Sequence, residues 1–257
     1  MCELLGITSR DKLYANDLLT EFFGHSDQQP DGWGLAILDS AEKEINKEPI
    51  TAARSRRLKE ILSNKIYTGR TIAHIRKATI GSIDEYNTHP FRGHDITGRT
   101  WTLVHNGTIF EASQLHKYVY YQQGFTDSER ILLYIIDKVN KYINLDADLT
   151  DVNIRISLIE KLILNIVPGN KLNLLIDDGE HLYVHKNEAG TLFTNEEDGR
   201  TILSTKPLSK GTWKELPENR LIVYKDGDVI YEGKRHDHSY SHDEERMKHL
   251  YMEYAGL

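Results

Sequence analysis

The only cysteine of this chain is its second residue, and that placement by itself points to a chemistry. Methionine aminopeptidases remove an initiator methionine when the next side chain is small, so the expected mature chain begins at Cys2. One residue then carries both a thiol and a free α-amine. A thiol has a reference pKa of about 8.5 and an α-amine of about 7.7–8.0, so near neutral pH a useful fraction of the amine is unprotonated. The amine can take the thiol proton, directly or through a water, with no histidine required. The competing reading of Cys2 is a small apolar filler of a first strand, because free cysteine is among the most buried residue types.

Four further clusters offer groups that such a nucleophile needs. Arg76, in Ala73-His74-Ile75-Arg76-Lys77-Ala78-Thr79-Ile80-Gly81, carries a planar fork that can hold a carboxylate by two parallel hydrogen bonds. Thr79 could donate to the same oxygens. Taken alone, the segment reads more simply as a surface arginine on an edge strand. His89, in Asn87-Thr88-His89-Pro90-Phe91, sits in a proline-stiffened loop and is assigned a positioning role at the substrate site. Asn106 and Gly107, in His105-Asn106-Gly107, can aim an amide and a backbone N–H at one spot, as an oxyanion hole requires. Glycine permits that approach because it lacks a Cβ. The plain alternative is a turn that ends a strand. Asp127, just inside a helix start, is stabilised by the helix dipole and could bind an ammonium group; ordinary helix-end charge complementarity is the simpler reading.

These groups need elements to position them. Residues 2–8 read as a short strand. Leu13, Leu18, Leu19, Phe22 and Phe23 recur at helical spacing and predict a helix over 11–24. Asp31-Gly32-Trp33-Gly34 is a turn feeding the apolar strand 35–38, and glycines flanking a tryptophan mark close backbone approach. Ile37 stands where a dinucleotide fingerprint needs its third glycine, so that fingerprint is rejected. A second short helix is expected near 55–64. Strands follow at 71–76 and 101–105, the latter ended by Asn106-Gly107. Thr126-Asp127-Ser128-Glu129 has the capping-box form and opens a helix. Another helix spans about 152–166. Asp178-Gly179 and Asp226-Gly227 each mark a hairpin. Strands early, helices in the middle and strands late argue for antiparallel sheets covered by helices. No repeat or low-complexity linker divides the chain, so one domain over 2–257 is expected, with 234–257 a charged, helix-like tail packed on the outside.

Composition narrows the classes. Apolar residues make up 39% of the 257 positions and charged residues 28%, an ordinary globular balance. A formal charge of −7 argues against a general nucleic-acid or anionic-membrane surface. The basic run Arg54-Ser55-Arg56-Arg57-Leu58-Lys59 reads as a solvated helix face. One cysteine fits a reducing cytosol, no secretory leader is visible, and the apolar runs are too short for a bilayer. A cytoplasmic protein is expected.

Taken together and in this order, Cys2-Glu3-Leu4-Leu5-Gly6-Ile7, Asp31-Gly32-Trp33-Gly34, His74 to Gly81, Asn87-Thr88-His89-Pro90, His105-Asn106-Gly107 and Thr126-Asp127-Ser128-Glu129 resemble the class-II glutamine amidotransferases, most closely their short stand-alone members. Ser204-Thr205-Lys206-Pro207-Leu208, Trp213 and the Asp226-Gly227 hairpin resemble the late strands of those proteins. The resemblance implies an α+β fold, the four-layer αββα sandwich of two antiparallel sheets found in N-terminal nucleophile hydrolases. It implies Cys2 as nucleophile with its α-amine as base, and Asn106 and Gly107 as oxyanion hole. It further implies Arg76 with Thr79 on the glutamine α-carboxylate, and Asp127 on the α-ammonium. The substrate would be L-glutamine or another γ-glutamyl amide, with no metal or organic cofactor. No appended synthase domain is expected, which leaves either a separate ammonia-accepting protein or a free-standing amidase. Lys77 departs from the tryptophan of several relatives. A catalytically silent scaffold that binds a ligand or partner is the reading from another class. A metal site at His236, His238 and His242 is a third; a solvated polar tail is the expected state there.

Overall fold

A computed structural model describes residues 2–40, 44–79 and 81–255. Met1, Ile80 of the arginine-bearing motif and the last two residues of the tail lie outside the described residues.

Period-two burial organises the strands. In β1 (Glu3–Tyr14), Leu5 and Ile7 pack with one apolar cluster while Leu4 packs with another on the opposite face. In β4 (Tyr67–Arg76), Ala73 and Ile75 join the first cluster and Ile72 the second. A strand with two apolar faces must lie inside a stack of layers. Among the described residues one sheet has seven strands, in the order β11 (Lys214–Glu215), β9 (Phe193–Glu197), β10 (Arg200–Ser204), β1, β4, β2 (Gly32–Ile37), β3 (Ile45–Glu48). The other has six, in the order β13 (Asp228–Glu232), β12 (Arg220–Lys225), β8 (Leu182–Lys186), β7 (Lys171–Asp177), β6 (Thr100–Thr108), β5 (Phe91–His94). Every pairing is antiparallel.

Helices cover both outer faces. Leu19, Phe22 and Phe23 of α1 (Asn16–Gly24) and Leu58 of α2 (Arg56–Ser63) pack on the first sheet. Ile131 and Ile135 of α3 (Asp127–Ile143), with Ile159 and Ile163 of α4 (Val152–Ile166), pack on the second. Leu4, Val104, Leu175, Val184 and Leu203 fill the space between the sheets. This is the four-layer αββα sandwich that the resemblance implies. No helix among the described residues is long and apolar enough to cross a membrane.

Several boundaries differ from the expectation. The first strand continues to Tyr14, because Leu13 and Tyr14 resume pairing with Thr68 and Tyr67 beyond an irregularity. The helix expected over 11–24 therefore begins only at Asn16. Asn106 and Gly107 do not end their strand: they pair with Asn173 and Leu172 inside β6. The capping box is half formed. Thr126 accepts the Glu129 amide, but the Glu129 carboxylate accepts the amides of Gln123 and Gly124. The tail is not only an outer surface, since α5 (Glu244–Ala255) carries Leu250, which is buried.

Candidate active site

The alternation that builds the core also aims the polar residues at the strand ends. On β4, Ile72 faces the other sheet, so His74 and Arg76 do too. On β6, Val104 faces the first sheet, and so does Asn106. Carrying the β1 pattern back from Leu4 and Gly6 brings Cys2 to that same interlayer end. Pairing of Glu3 with Ile75 sets Cys2 beside the exit of β4. There its Sγ donates to the Lys77 carbonyl and accepts from the Lys77 amide, both at 3.3 Å.

Two small cavities meet at this sulfur. One, of about 40 Å³, is lined by Cys2, Arg76, Thr79, His89, Gly107 and Asp127 among others. The other, of about 60 Å³, adds Asn106 and shares Cys2, Thr79 and Gly107 with the first. Each has room for about one or two waters. All seven residues singled out in the sequence therefore border Cys2 or are Cys2 itself.

Arg76 is buried, and its guanidinium donates to the carbonyls of Ser82 at 3.0 Å and Gly81 at 3.3 Å. Burial pulls its pKa down. Asp31 ties the segment after it by accepting the Ala78 amide at 2.8 Å, while the Asp31 amide donates to the Arg76 carbonyl at 3.1 Å. The Asp127 carboxylate accepts the Ile109 amide at 2.8 Å and the Ser128 hydroxyl at 3.2 Å. That links the start of α3 to the end of β6. Asn106 is buried, and its Nδ2 has no hydrogen-bond partner among the described residues. An unpaired buried donor costs roughly 1–3 kcal/mol, so its presence asks for a ligand. At position 107 a Cβ would lie 2.1 Å from the Lys171 carbonyl oxygen and 2.2 Å from His105 Nε2, so only glycine fits.

His89 packs its ring on His74 with centroids 4.1 Å apart and against the edge of Phe91 at 4.6 Å. Its strand-side support is Gly34, where a Cβ would lie 1.9 Å from the His89 carbonyl oxygen. The close approach expected of the Gly-Trp-Gly turn is thus an approach to this loop. Asn87 carries the loop to α3, donating to the Ser82 carbonyl and accepting the Phe125 amide at 2.7 Å.

Burial sets the electrostatics. It pushes the Cys2 thiol up, against the Lys77 amide and the Arg76 charge. It pushes His89 well below the usual imidazole value and His74 down to about 3, and it lowers His105 as well. The three imidazoles beside the thiol are therefore neutral at neutral pH.

The sequence assigned the far wall no place beside the thiol, and named only His242 of it, as a candidate metal ligand. Tyr240, His242 and Met247 of the C-terminal segment line the cavity that holds Asn106. No local pattern announces this, because the contact depends on the fold returning the chain to β6 and β7. The three tail histidines are not brought together as ligands. His236 Nε2 meets His185 Nε2 at 3.0 Å, the His238 ring lies tilted against His236, and His242 borders the Cys2 cavity. The one described group of converging metal-ligand types is Asp178, Glu180 and His181, in the turn between β7 and β8, where Arg155 occupies Asp178 at 2.6 Å.

Comparison with known proteins agrees with the geometry. A family model described as "Glutamine amidotransferases class-II" matches residues 1–195. An uncharacterized protein of Methanocaldococcus jannaschii is 30% identical over 264 residues, covering 91% of this chain and 72% of that one. The putative glutamine amidotransferase YafJ of Escherichia coli is 27% identical, covering 84% of this chain and 94% of its own. Among solved structures, a glutamine aminotransferase class-II domain protein from Silicibacter pomeroyi superposes with a TM-score of 0.62 at 17% identity, over 92% of this chain and all of that one. The last likeness speaks to the fold alone.

Proposed function

The chain belongs to the class-II glutamine amidotransferases, and on that premise we propose that it cleaves the side-chain amide of glutamine through a thioester on Cys2. The observation that carries this reading is the buried, unpartnered Nδ2 of Asn106 on the cavity that also holds the thiol. A donor left without a partner is in its lowest free energy only when something fills the site, and an oxyanion is the strongest acceptor that can.

The chemistry runs in two halves. The α-amine of a mature Cys2 takes the thiol proton, the sulfur attacks the amide carbon, and the oxygen that becomes negative rests on the Asn106 amide and the Gly107 N–H. The C–N bond then breaks, and the nitrogen leaves as ammonia with the proton returned by the α-ammonium. Water adds to the thioester, the C–S bond breaks, and glutamate is released. The neutral histidines support the amine as base. A proton acceptor works best when its pKa lies near the working pH, and His74, at about 3, is far below it.

Recognition falls to Arg76, Thr79 and Asp127. The Arg76 fork holds the backbone carbonyls of Ser82 and Gly81. A substrate carboxylate replaces them with a charged acceptor of matching geometry, which opens room by moving the 81–82 turn. Asp127 takes the α-ammonium, and His89 holds the loop between them. Residues 2–257 form a single domain in this reading, with 234–257 its tail, and the ammonia goes to water or to a separate accepting protein. The lone cysteine suits a reducing compartment, which is the cytoplasm here.

The direct test is release of glutamate and ammonia from glutamine by the purified full chain. Equal release is expected, and none from Cys2→Ser. Release of glutamate from γ-glutamyl peptides but not from glutamine would replace the substrate while keeping the chemistry.

A further inference from the structure

The cavity beyond Asn106 has a wall that the cleavage chemistry does not use. Its lining includes Tyr240, His242 and Met247, which lie on a strap that crosses the end of the six-stranded sheet and on the first turns of α5. The strap is fixed by its main chain. The His236 amide donates to the Asn219 carbonyl at 2.8 Å, and the Tyr240 amide donates to the Asn187 carbonyl at 2.7 Å. Asn187 Nδ2 returns a bond to the His238 carbonyl at 3.0 Å. The Tyr240 ring stacks on Phe110 at 6.0 Å and 14°. Arg246 covers the Phe110 ring at 4.4 Å and donates to the Gly169 carbonyl at 2.7 Å.

The two cavities at Cys2 divide a γ-glutamyl amide between them. Arg76 and Asp127 border the first, which takes the amino-acid end. In the glutamine reading Asn106 takes the carbonyl oxygen at the border of the second cavity, and the nitrogen, with any group on it, would lie on that side facing the strap. The two sides differ in how they can open. The first is lined by Arg76, whose guanidinium holds the carbonyls of Gly81 and Ser82, and a substrate carboxylate would displace those. The second is bounded by a strap hydrogen-bonded to strand-end residues.

We propose that this C-terminal strap sets substrate specificity by walling the leaving-nitrogen side of the site, so that only an amide with an unsubstituted nitrogen is cleaved. The inference rests on the glutamine reading above and decides between its two substrates. A space of about 60 Å³ beside Cys2 and Asn106 has room for a departing ammonia and an attacking water, and Tyr240, His242 and Met247 stand where a larger substituent on the nitrogen would extend.

The experiment compares kcat/KM for L-glutamine and for a γ-glutamyl anilide in the full chain, in Tyr240→Ala and in Arg246→Ala. A diazoketone analogue of glutamine serves as a separate probe of Cys2. Tyr240→Ala removes the wall, while Arg246→Ala leaves the wall residues in place and removes the support of α5, so a folding failure of the first does not decide the matter. The anilide-to-glutamine ratio is expected to rise by about tenfold or more in either variant that folds, the scale on which one unfilled pocket group alters discrimination. Anilide cleavage by the unaltered chain at the glutamine rate would overturn the proposal. So would an unchanged ratio in both variants with Cys2 still labelled by the analogue. An unaltered chain whose Cys2 is never labelled would instead defeat the glutamine reading, and the leaving-nitrogen side would lose its meaning with it.

Discussion

Cys2 and Lys77 are joined through one sulfur atom: the thiol donates to the Lys77 carbonyl and accepts from the Lys77 amide, each at 3.3 Å. The donated bond exists only while sulfur keeps its proton. A thiolate in that position would face the carbonyl oxygen and keep only the amide, so the resting geometry is that of a held nucleophile.

The first prediction concerns that proton. Burial raises the Cys2 pKa above the ordinary thiol value, with Asp127 adding to the rise and Arg76 opposing it. Only the thiolate reacts with a neutral alkylating agent, and a raised pKa moves the thiolate fraction to higher pH. The alkylation rate at Cys2 should therefore climb with pH and still be climbing at pH 9. A rate that levels off below neutrality would mean an activated thiolate and a different resting state.

Removing the oxyanion donor isolates its contribution. Asn106→Ala should lower kcat for glutamine by about 100–1000-fold with little change in KM, because the bond is made to a charge that develops only in the transition state. A variant with a raised KM and an unaltered kcat would assign Asn106 to binding.

Arg76→Lys should act the other way. The ammonium keeps the charge but loses the fork, and one charge-assisted hydrogen bond is worth about 1.5–3 kcal/mol. A loss of about 10–100-fold in kcat/KM, carried mostly by KM, is expected in steady-state kinetics.

A fourth prediction concerns stability away from the site. Arg155 donates to Asp178 Oδ2 at 2.6 Å and to the Leu149 carbonyl at 2.6 Å, tying α4 to the turn between β7 and β8. Burial opposes the charge on Asp178, but its bonds with His181 and the Arg155 charge hold its pKa well below the usual range. A carboxylate with a depressed folded pKa contributes stability above its unfolded value of about 4, and that contribution fades as pH falls. Arg155→Met removes the closest cation from the buried Asp178, which keeps its bonds with His181 and Tyr183, and should cost about 3–5 kcal/mol at neutral pH. Denaturant unfolding from pH 7 to pH 3 should also show a shallower acid decline in the variant than in the parent.

Much of this was legible in the sequence, for identifiable reasons. Asp226 and Gly227 both take positive φ, and that local requirement made the β12–β13 turn readable. The 152–166 helix was legible within its bounds, and the structure adds that Asp151 caps it by accepting the Asn153 amide. Cys2, Arg76, Asn106, Gly107 and Asp127 were legible because each chemistry restricts residue type. Residues 9–14 were not, since their strand pairing is set by Tyr67 and Thr68, more than fifty positions away. Asn106-Gly107 carries the local signature of a turn, but β7 alongside supplies the ladder that keeps it extended. The strap over the leaving-nitrogen side was hidden for the same reason: Phe110, Asn187 and Asn219 define it, and none is near Tyr240 in the chain.

The central claim is that a mature N-terminal Cys2 is the nucleophile in a pocket shaped for glutamine. The measurement that bears on it most directly is the intact mass of the full chain, made in a host that processes initiator methionine, after exposure to the diazoketone analogue of glutamine. The account predicts a chain beginning at Cys2 that carries one adduct, protected by glutamine and missing in Cys2→Ala. A chain that keeps Met1 and gains no adduct, or an adduct that survives in Cys2→Ala, would contradict it.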